Sequence, residues 1–316
     1  VKVREWIWRR LGPSDAGAVA DAVADTERSD FAYIRTTKQE IESYLDGGGV
    51  WQAQGAWRGA ELLAFGFLRF SADENAIILS GGVCARWRGR GLGAELLERQ
   101  LRSAQLLAGA HSLRRYGIRM YVRSGQQDLI RLVHSYGFSV HCRSIHLEKR
   151  TDVPGCGGFP YPGTEETGRY LRIQSLRPEH LPLLKRLCPD SSFGAVDADF
   201  MRYFYFPWCF VAFDGFSDRP QPVGYLLASK MKEDTEDRAV IGYLEEIAVF
   251  PHSLHENIER MLISRALREI MSSGVQTVYA DTGYADSQGN GEQSVFVREF
   301  GFIPTEETFI FSREQR

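Results

Sequence analysis

Residues 88 to 93 read Arg88-Gly89-Arg90-Gly91-Leu92-Gly93. They lie between an apolar run, Ala76-Ile77-Ile78-Leu79 followed by Gly81-Gly82-Val83, and a helix-like stretch that opens Ala94-Glu95-Leu96-Leu97. Alternating glycines let a backbone turn tightly and aim several N–H groups at one spot, and a helix N-terminus adds partial positive charge. Such a segment suits a pyrophosphate. Two other phosphate motifs do not fit. A P-loop requires Lys-Ser or Lys-Thr after its last glycine, where this chain has Ala94-Glu95, and a dinucleotide fingerprint requires Gly-x-Gly-x-x-Gly, where these glycines alternate. The alternative to an anion cradle is an ordinary strand-to-helix turn with solvated arginines.

The elements that must position this segment follow from apolar periodicity and turn residues. A strand is expected at Glu5–Arg10, helices at Ser14–Asp25 and Lys38–Tyr44, and strands at Val50–Ala56 and Glu61–Phe70. The strand Ala76–Val83, a helix from Gly91 to about Leu107, a strand at Gly117–Val122, a helix at Asp128–Tyr136 and terminal strands to Lys149 complete the first half. Helices interleaved with mixed strands give an α/β (α+β layered) fold class.

The order then recurs. Leu11-Gly12-Pro13-Ser14-Asp15 matches Leu176-Arg177-Pro178-Glu179-His180, Val83 matches Val249, and Tyr136-Gly137-Phe138 matches Phe300-Gly301-Phe302, at separations of 165, 166 and 164 residues. So constant a period argues for two copies of one fold. The expected division is a domain at 1–150, a Gly/Pro-rich linker at 151–168 and a second domain at 169–316. The second copy lacks the glycine segment. Aligned on Val249 and Pro251, it has Leu254-His255-Glu256-Asn257-Ile258-Glu259, whose acids oppose an anion and whose side chains obstruct close backbone approach.

The Arg-x-x-Gly-x-Gly order after a strand ending in Val83 resembles the acyl-CoA motif of the GNAT N-acetyltransferases. The resemblance is strongest at 76–97, moderate at 117–138 and weak in the second half. It implies two tandem GNAT-like domains, each a mixed, mostly antiparallel sheet flanked by helices, an arrangement similar to that of mycothiol synthases. It also implies acetyl-CoA, or another acyl-CoA, bound in the first half only by Val83, Arg88, Gly89, Arg90, Gly91, Leu92, Gly93 and Ala94. Gln126 stands where the family often has an asparagine that contacts pantetheine. The pantetheine arm would lie in the splay between Ala76–Val83 and Gly117–Val122, paired to the former like an added strand. An acceptor amine of a small molecule or peptide would attack the thioester directly, with a backbone N–H of Gly82 or Val83 as oxyanion donor. Gly81-Gly82 reads either as a bulge that aims this donor or as close packing.

Where many relatives carry a general base and acid, this chain has Leu79 or Ser80 and Val133. Tyr136 is the remaining catalytic candidate; it and His134 also suit capping or core positions. Phe31, Tyr33, Tyr44 and Trp51 could line an acceptor pocket or belong to the core. Glu245 and Glu246 are adjacent in a strand, so alternation expects them on opposite faces, as relics in a would-be cleft or as ordinary structural glutamates. A non-catalytic CoA-sensing or protein-interaction module is the alternative function.

A net charge of −3 lacks the footprint of a nucleic-acid binder, although Arg86, Arg88 and Arg90 make a local basic spot. No apolar run reaches a membrane span and the opening residues lack a signal-peptide apolar region, so a cytoplasmic protein is expected. Five scattered cysteines without Cys-x-x-Cys spacing argue against a disulfide framework and a zinc site. No metal is expected.

Overall fold

The computed structural model describes residues 6–32, 36–46, 51–71, 75–150, 171–187, 204–215, 220–232, 240–250, 257–282 and 295–315. The expected linker at 151–168 lies outside them. The chain divides into two units, the first formed by Val1–Arg143 with Glu307–Arg316 and the second by Ser144–Glu306.

In the first unit the strands β1 (Ile7–Arg10), β2 (Trp51–Arg58), β3 (Glu61–Ser71), β4 (Ala76–Val83) and β5 (Tyr116–Arg123) follow one another across the sheet, and β12 (Ile303–Gln315) completes it beside β5. All these pairings are antiparallel except β4 with β5. Period-two alternation in β3 sends Phe65 and Phe67 to one face, where they meet helices α1 (Ala16–Ser29) and α2 (Lys38–Asp46) through Val19, Val23 and Ile41. Leu68 points to the other face with Ile77 and Leu79 of β4 and Ile118, Met120 and Val122 of β5. Helices α3 (Leu92–Ala110) and α4 (Gln127–Ser135) cover that face through Leu97, Ala104, Leu107 and Val133. Gly66 makes room for α3, since a Cβ there would fall 2.7 Å from the Leu96 side chain.

The second unit repeats this plan. Its strands run β7 (Leu171–Ser175), β8 (Phe210–Asp214), β9 (Pro222–Lys232), β10 (Val240–Val249) and β11 (Thr277–Asp281), closed by the part of β6 (Ser139–Arg150) that begins at Ser144. Again one pairing, β10 with β11, is parallel. Helix α5 (Leu181–Leu187) covers one face through Leu184, while α6 (Ile258–Ser272) and α7 (Val295–Phe300) cover the other. Matching details support the duplication. The Leu11 amide donates to Ala53 O and the Leu176 amide to Cys209 O, and Gly137 and Gly301 both turn with positive φ after the last helix of their unit.

The division differs from the one the sequence suggests at 150. Each unit is closed by a strand from beyond that boundary, β12 in the first and β6 in the second. The exchanged strands have equivalent duties. Phe311 and Leu147 are fully buried in their respective units, Arg313 Nη1 donates to Tyr136 O at the end of α4 (3.1 Å), and Lys149 Nζ donates to Phe300 O at the end of α7 (2.7 Å). A cation placed on the last carbonyls of a helix satisfies an orphan acceptor and opposes the dipole. Where each strand changes units, Arg143 and Glu307 form an ion pair at 2.9 Å. The terminal strands expected to Lys149 are one continuous strand, β6.

Phe311→Ala should therefore destabilise the first unit by about 3–5 kcal/mol, the usual cost of emptying a buried aromatic site. Hydrogen exchange should localise the loosening to β5 and α4 of the first unit. Loosening confined to α6 and α7 would contradict the exchange.

Candidate functional site

The site is built where β4 parts from β5. Their parallel pairing covers Ala76–Leu79 against Gly117–Met120 and stops, although β4 continues to Val83 and β5 to Arg123. The pairing of β4 with β3 runs on unbroken from Ser71–Ala76 to Ala64–Val83, so Gly81-Gly82 forms no two-against-one bulge with β3. Gly81 instead holds φ at +147°, and a Cβ there would sit 2.3 Å from Phe65 O. Close backbone approach is the reason for this glycine.

The peptide planes at the end of β4 decide which groups face the gap. The Cys84 amide donates to Leu63 O of β3. A planar trans peptide then points the Val83 carbonyl the opposite way, toward the gap, and strand alternation turns the Val83 N–H in that direction as well. The same alternation sends the Gly82 N–H back to β3. Of the two expected oxyanion donors, Val83 is the one facing the opening.

Beyond β4, Gly89 and Gly91 adopt φ of +73° and +88°, and Gly91 is the N-cap of α3. Nothing lies within 4 Å of a Cβ built on either. Gly93, in the first turn, faces Val83 and Leu132 at 3.9 and 3.7 Å from such a Cβ. Leu92 is buried and anchors the turn. Among the described residues, none of the amides from Gly89 to Ala94 donates to a protein acceptor, while the Glu95 amide already bonds to Gly91 O. Unsatisfied donors converging on open space fit a pyrophosphate.

The side chains around this cradle are engaged. Arg88 Nε donates to Val83 O at 3.1 Å and Nη1 meets Asp30 Oδ1 at 2.6 Å. Arg90 lies over the Trp87 ring at 4.7 Å, and Trp87 Nε1 bonds to Glu61. Gln126 is the N-cap residue of α4, accepts from the Arg123 amide at 3.2 Å and donates to Asp30 Oδ2 at 3.2 Å. Asp30 is the residue that sequence reasoning missed, 58 positions from Arg88 and without a motif of its own.

Tyr136 is not brought to this group. It follows α4, and its hydroxyl donates to Glu98 on the exposed side of α3 at 2.9 Å; burial first and Glu98 second push its pKa up. His134 Nδ1 contacts Phe138 O at 3.1 Å and its ring meets Phe311 edge-on, a capping and core role together. Phe31 is 88% exposed, Tyr44 packs edge-on against Phe67, and Tyr33 and the Trp51 side chain lie outside the described residues. Burial raises the Cys84 thiol to about 11 and the Cys209 thiol to about 12, which leaves neither as a ready nucleophile. Among the described residues no cluster has metal-binding geometry, and no helix is long and apolar enough to cross a membrane.

At the corresponding place in the second unit, Asn257 takes φ +79° as N-cap of α6, so an asparagine performs the left-handed turn that Gly91 performs. Glu259 then stands where Gly93 stands. Burial raises its pKa, the Glu299 carboxylate adds to the rise and Arg260 offsets part of it. Residues 251–256, including Glu256, lie outside the described residues.

Glu245 and Glu246 do not take opposite faces. The register of β10 on β9 shifts between Leu244 and Glu246, leaving Glu245 as a bulged residue. Glu245 accepts from Ser229 and Glu246 from Tyr225, which share one face of β9 with Leu227, opposite Leu226 and Ala228. The extra residue of a bulge cancels the alternation. Nearby, Asp281 accepts from Tyr243 at 2.5 Å and contacts His146 Nδ1 at 2.9 Å.

No protein-family model and no curated protein matches the sequence. Among solved structures, a GCN5-related N-acetyltransferase from Sphaerobacter thermophilus is 18% identical, with TM-score 0.72 over 99% of this chain and 97% of that one. A tandem GNAT protein from the clavulanic acid biosynthesis pathway is 15% identical, with TM-score 0.71 over 98% of each chain. The chain thus has the tandem GNAT fold.

Burial raises the Glu245 carboxyl above its ordinary value of 4.5; the Ser229 bond offsets part of this, and Asp281 adds to it. Glu245 is exposed by surface area, so its crowding is partial and the resulting effect on stability is small. A carboxyl with a raised folded pKa binds its proton more tightly when folded, and stability falls as pH rises from the unfolded pKa through the folded one. Glu245→Gln should therefore gain in Tm relative to the unsubstituted chain as pH increases from about 4 to about 8. A Tm difference that shrinks with pH would contradict the assignment.

Proposed function

We propose that this chain is an acyl-CoA-dependent N-acyltransferase that uses one cradle, in the first unit, and acts on a primary amine of a small molecule or peptide. The observation that carries the reading is the set of unsatisfied amides from Gly89 to Ala94, opening beside the free edge of β4. These amides and the Arg88 guanidinium would hold the pyrophosphate, and Gln126 and the Val83 edge would hold the pantetheine arm. Acyl-CoA supplies the activated acyl group, most simply acetyl.

The chain's own contribution is placement and charge stabilisation. The Val83 N–H faces the position where a reacting thioester carbonyl gains negative charge, and a preorganised donor there is worth several kcal/mol, on the order of 3. Neither Leu79 nor Val133, both buried, can move a proton. The acceptor then relies on its own basicity, water or the Ser80 region to lose its proton. The second unit, with Glu259 in place of Gly93, is read as non-catalytic.

Calorimetry should find about one acyl-CoA per chain; two equivalent sites would contradict the single-cradle reading. Gly91→Glu should abolish binding while circular dichroism stays native, because it puts a carboxylate and a Cβ where backbone must meet phosphate. Arg88→Ala should cost less, about 1–2 kcal/mol for a partly exposed charge-assisted contact. An amine screen with a free-thiol readout separates the enzyme from a CoA-sensing module, which would bind without turnover. Glu245→Gln and Glu246→Gln should each leave kcat nearly unchanged. A loss beyond about 100-fold with normal acyl-CoA binding would move the chemistry to the second unit.

A further inference from the structure

We propose that the Asp30 carboxylate is a built-in competitor for the cofactor cradle, a latch that acyl-CoA must displace and that couples cofactor binding to the end of α1. The inference rests on the acyl-CoA reading given above. Both oxygens of Asp30 are committed, Oδ1 to Arg88 Nη1 at 2.6 Å and Oδ2 to Gln126 Nε2 at 3.2 Å. Arg88 in turn covers the Val83 carbonyl through Nε at 3.1 Å. One small network therefore occupies three groups: the guanidinium for the pyrophosphate, the carboxamide for the pantetheine arm and the strand carbonyl with which that arm would pair.

The position of Asp30 is not explained by its own helix. It is the C-cap of α1, where a carboxylate meets the negative end of the helix dipole. Its compensation comes from the cradle side. Arg123 reinforces the arrangement, donating Nη2 to Asp30 O at 2.6 Å and Nη1 to Phe31 O at 3.3 Å. Phe31 itself is left-handed at φ +53° with its ring 88% exposed, a conformation costly for a bulky residue. An incoming pyrophosphate repels Asp30 and takes over Arg88, so the restraint on residues 30–32 weakens. Farther back, Asp25 Oδ2 accepts from the Ala85 amide at 2.8 Å and holds the body of α1 in place. The change is confined to the turn that follows α1.

The test is acyl-CoA affinity of the full chain carrying Asp30→Asn, with Asp30→Ser as a second variant and circular dichroism as the folding control. Removing the competing charge should tighten binding about three- to fivefold, the scale of one partly exposed ion pair. The gain should vanish when Arg88→Gln is present in both members of the comparison, since Asp30 acts through that guanidinium. In the unsubstituted chain, acyl-CoA should speed amide exchange at residues 30–32. Unchanged or weaker binding in both folded Asp30 variants, or protection of residues 30–32 by acyl-CoA, overturns the latch and leaves the cradle standing. Failure of the unsubstituted chain to bind acyl-CoA overturns both.

Discussion

The departure of β4 from β5 after Leu79 is the constraint from which the rest of the first unit follows. A parallel pair that stayed in register to Val83 would spend that residue's N–H and C=O on β5 and leave nothing for a ligand to pair with. Holding β4 to β3 on one side while freeing it on the other requires backbone that no ordinary side chain permits, and Gly81, pressed against Phe65 O, supplies it. The glycine turn and α3 then start from a strand end that already borders an opening. The second unit parts its parallel pair at the equivalent point, after Leu244 and Ala280, with an inserted residue at Glu245 instead. Two local devices serve one topological need.

What distinguishes the units is therefore the helix start rather than the sheet. Gly91 and Asn257 adopt the same left-handed cap, and Leu92 and Ile258 bury the same anchor behind it. Within the first helical turn, Gly93 gives way to Glu259. This puts a carboxylate where Gly93 leaves only the contacts of Val83 and Leu132, a charge that the helix dipole favours but that burial and Glu299 disfavour.

Much of this was legible in the chain. The range Ala76–Val83, the glycine turn before α3 and the order of elements in the first half follow from period-two and helical patterning with turn residues, because those features are local. Strand exchange was not legible. Leu147 and Phe311 occupy equivalent apolar strands, and patterning cannot say which of two similar sheets each will complete. Alternation expects Glu245 and Glu246 on opposite faces because it assumes an uninterrupted ladder, and the bulge at Glu245 breaks that ladder. The last residues of the two parallel ladders, Leu79 and Leu244, are 165 apart, whereas Val83 and Val249 are 166 apart, and that difference is the trace of the residue inserted at Glu245. Asp30 had no such trace, since its meaning comes entirely from Arg88 and Gln126, distant along the chain.

The closing of each sheet by a distant strand also sets the order of assembly. During synthesis the segment from Val1 to Arg143 emerges early, yet β5 has an open edge until residues 307–316 appear, because its antiparallel partner runs from Thr308 to Gln315. Loop closure over so long a separation is slow, and an unpaired strand edge invites wrong partners while it waits. The second unit suffers no such delay, for β6 is made before the strand it joins. The later half of the chain can thus complete its sheet before the earlier half does.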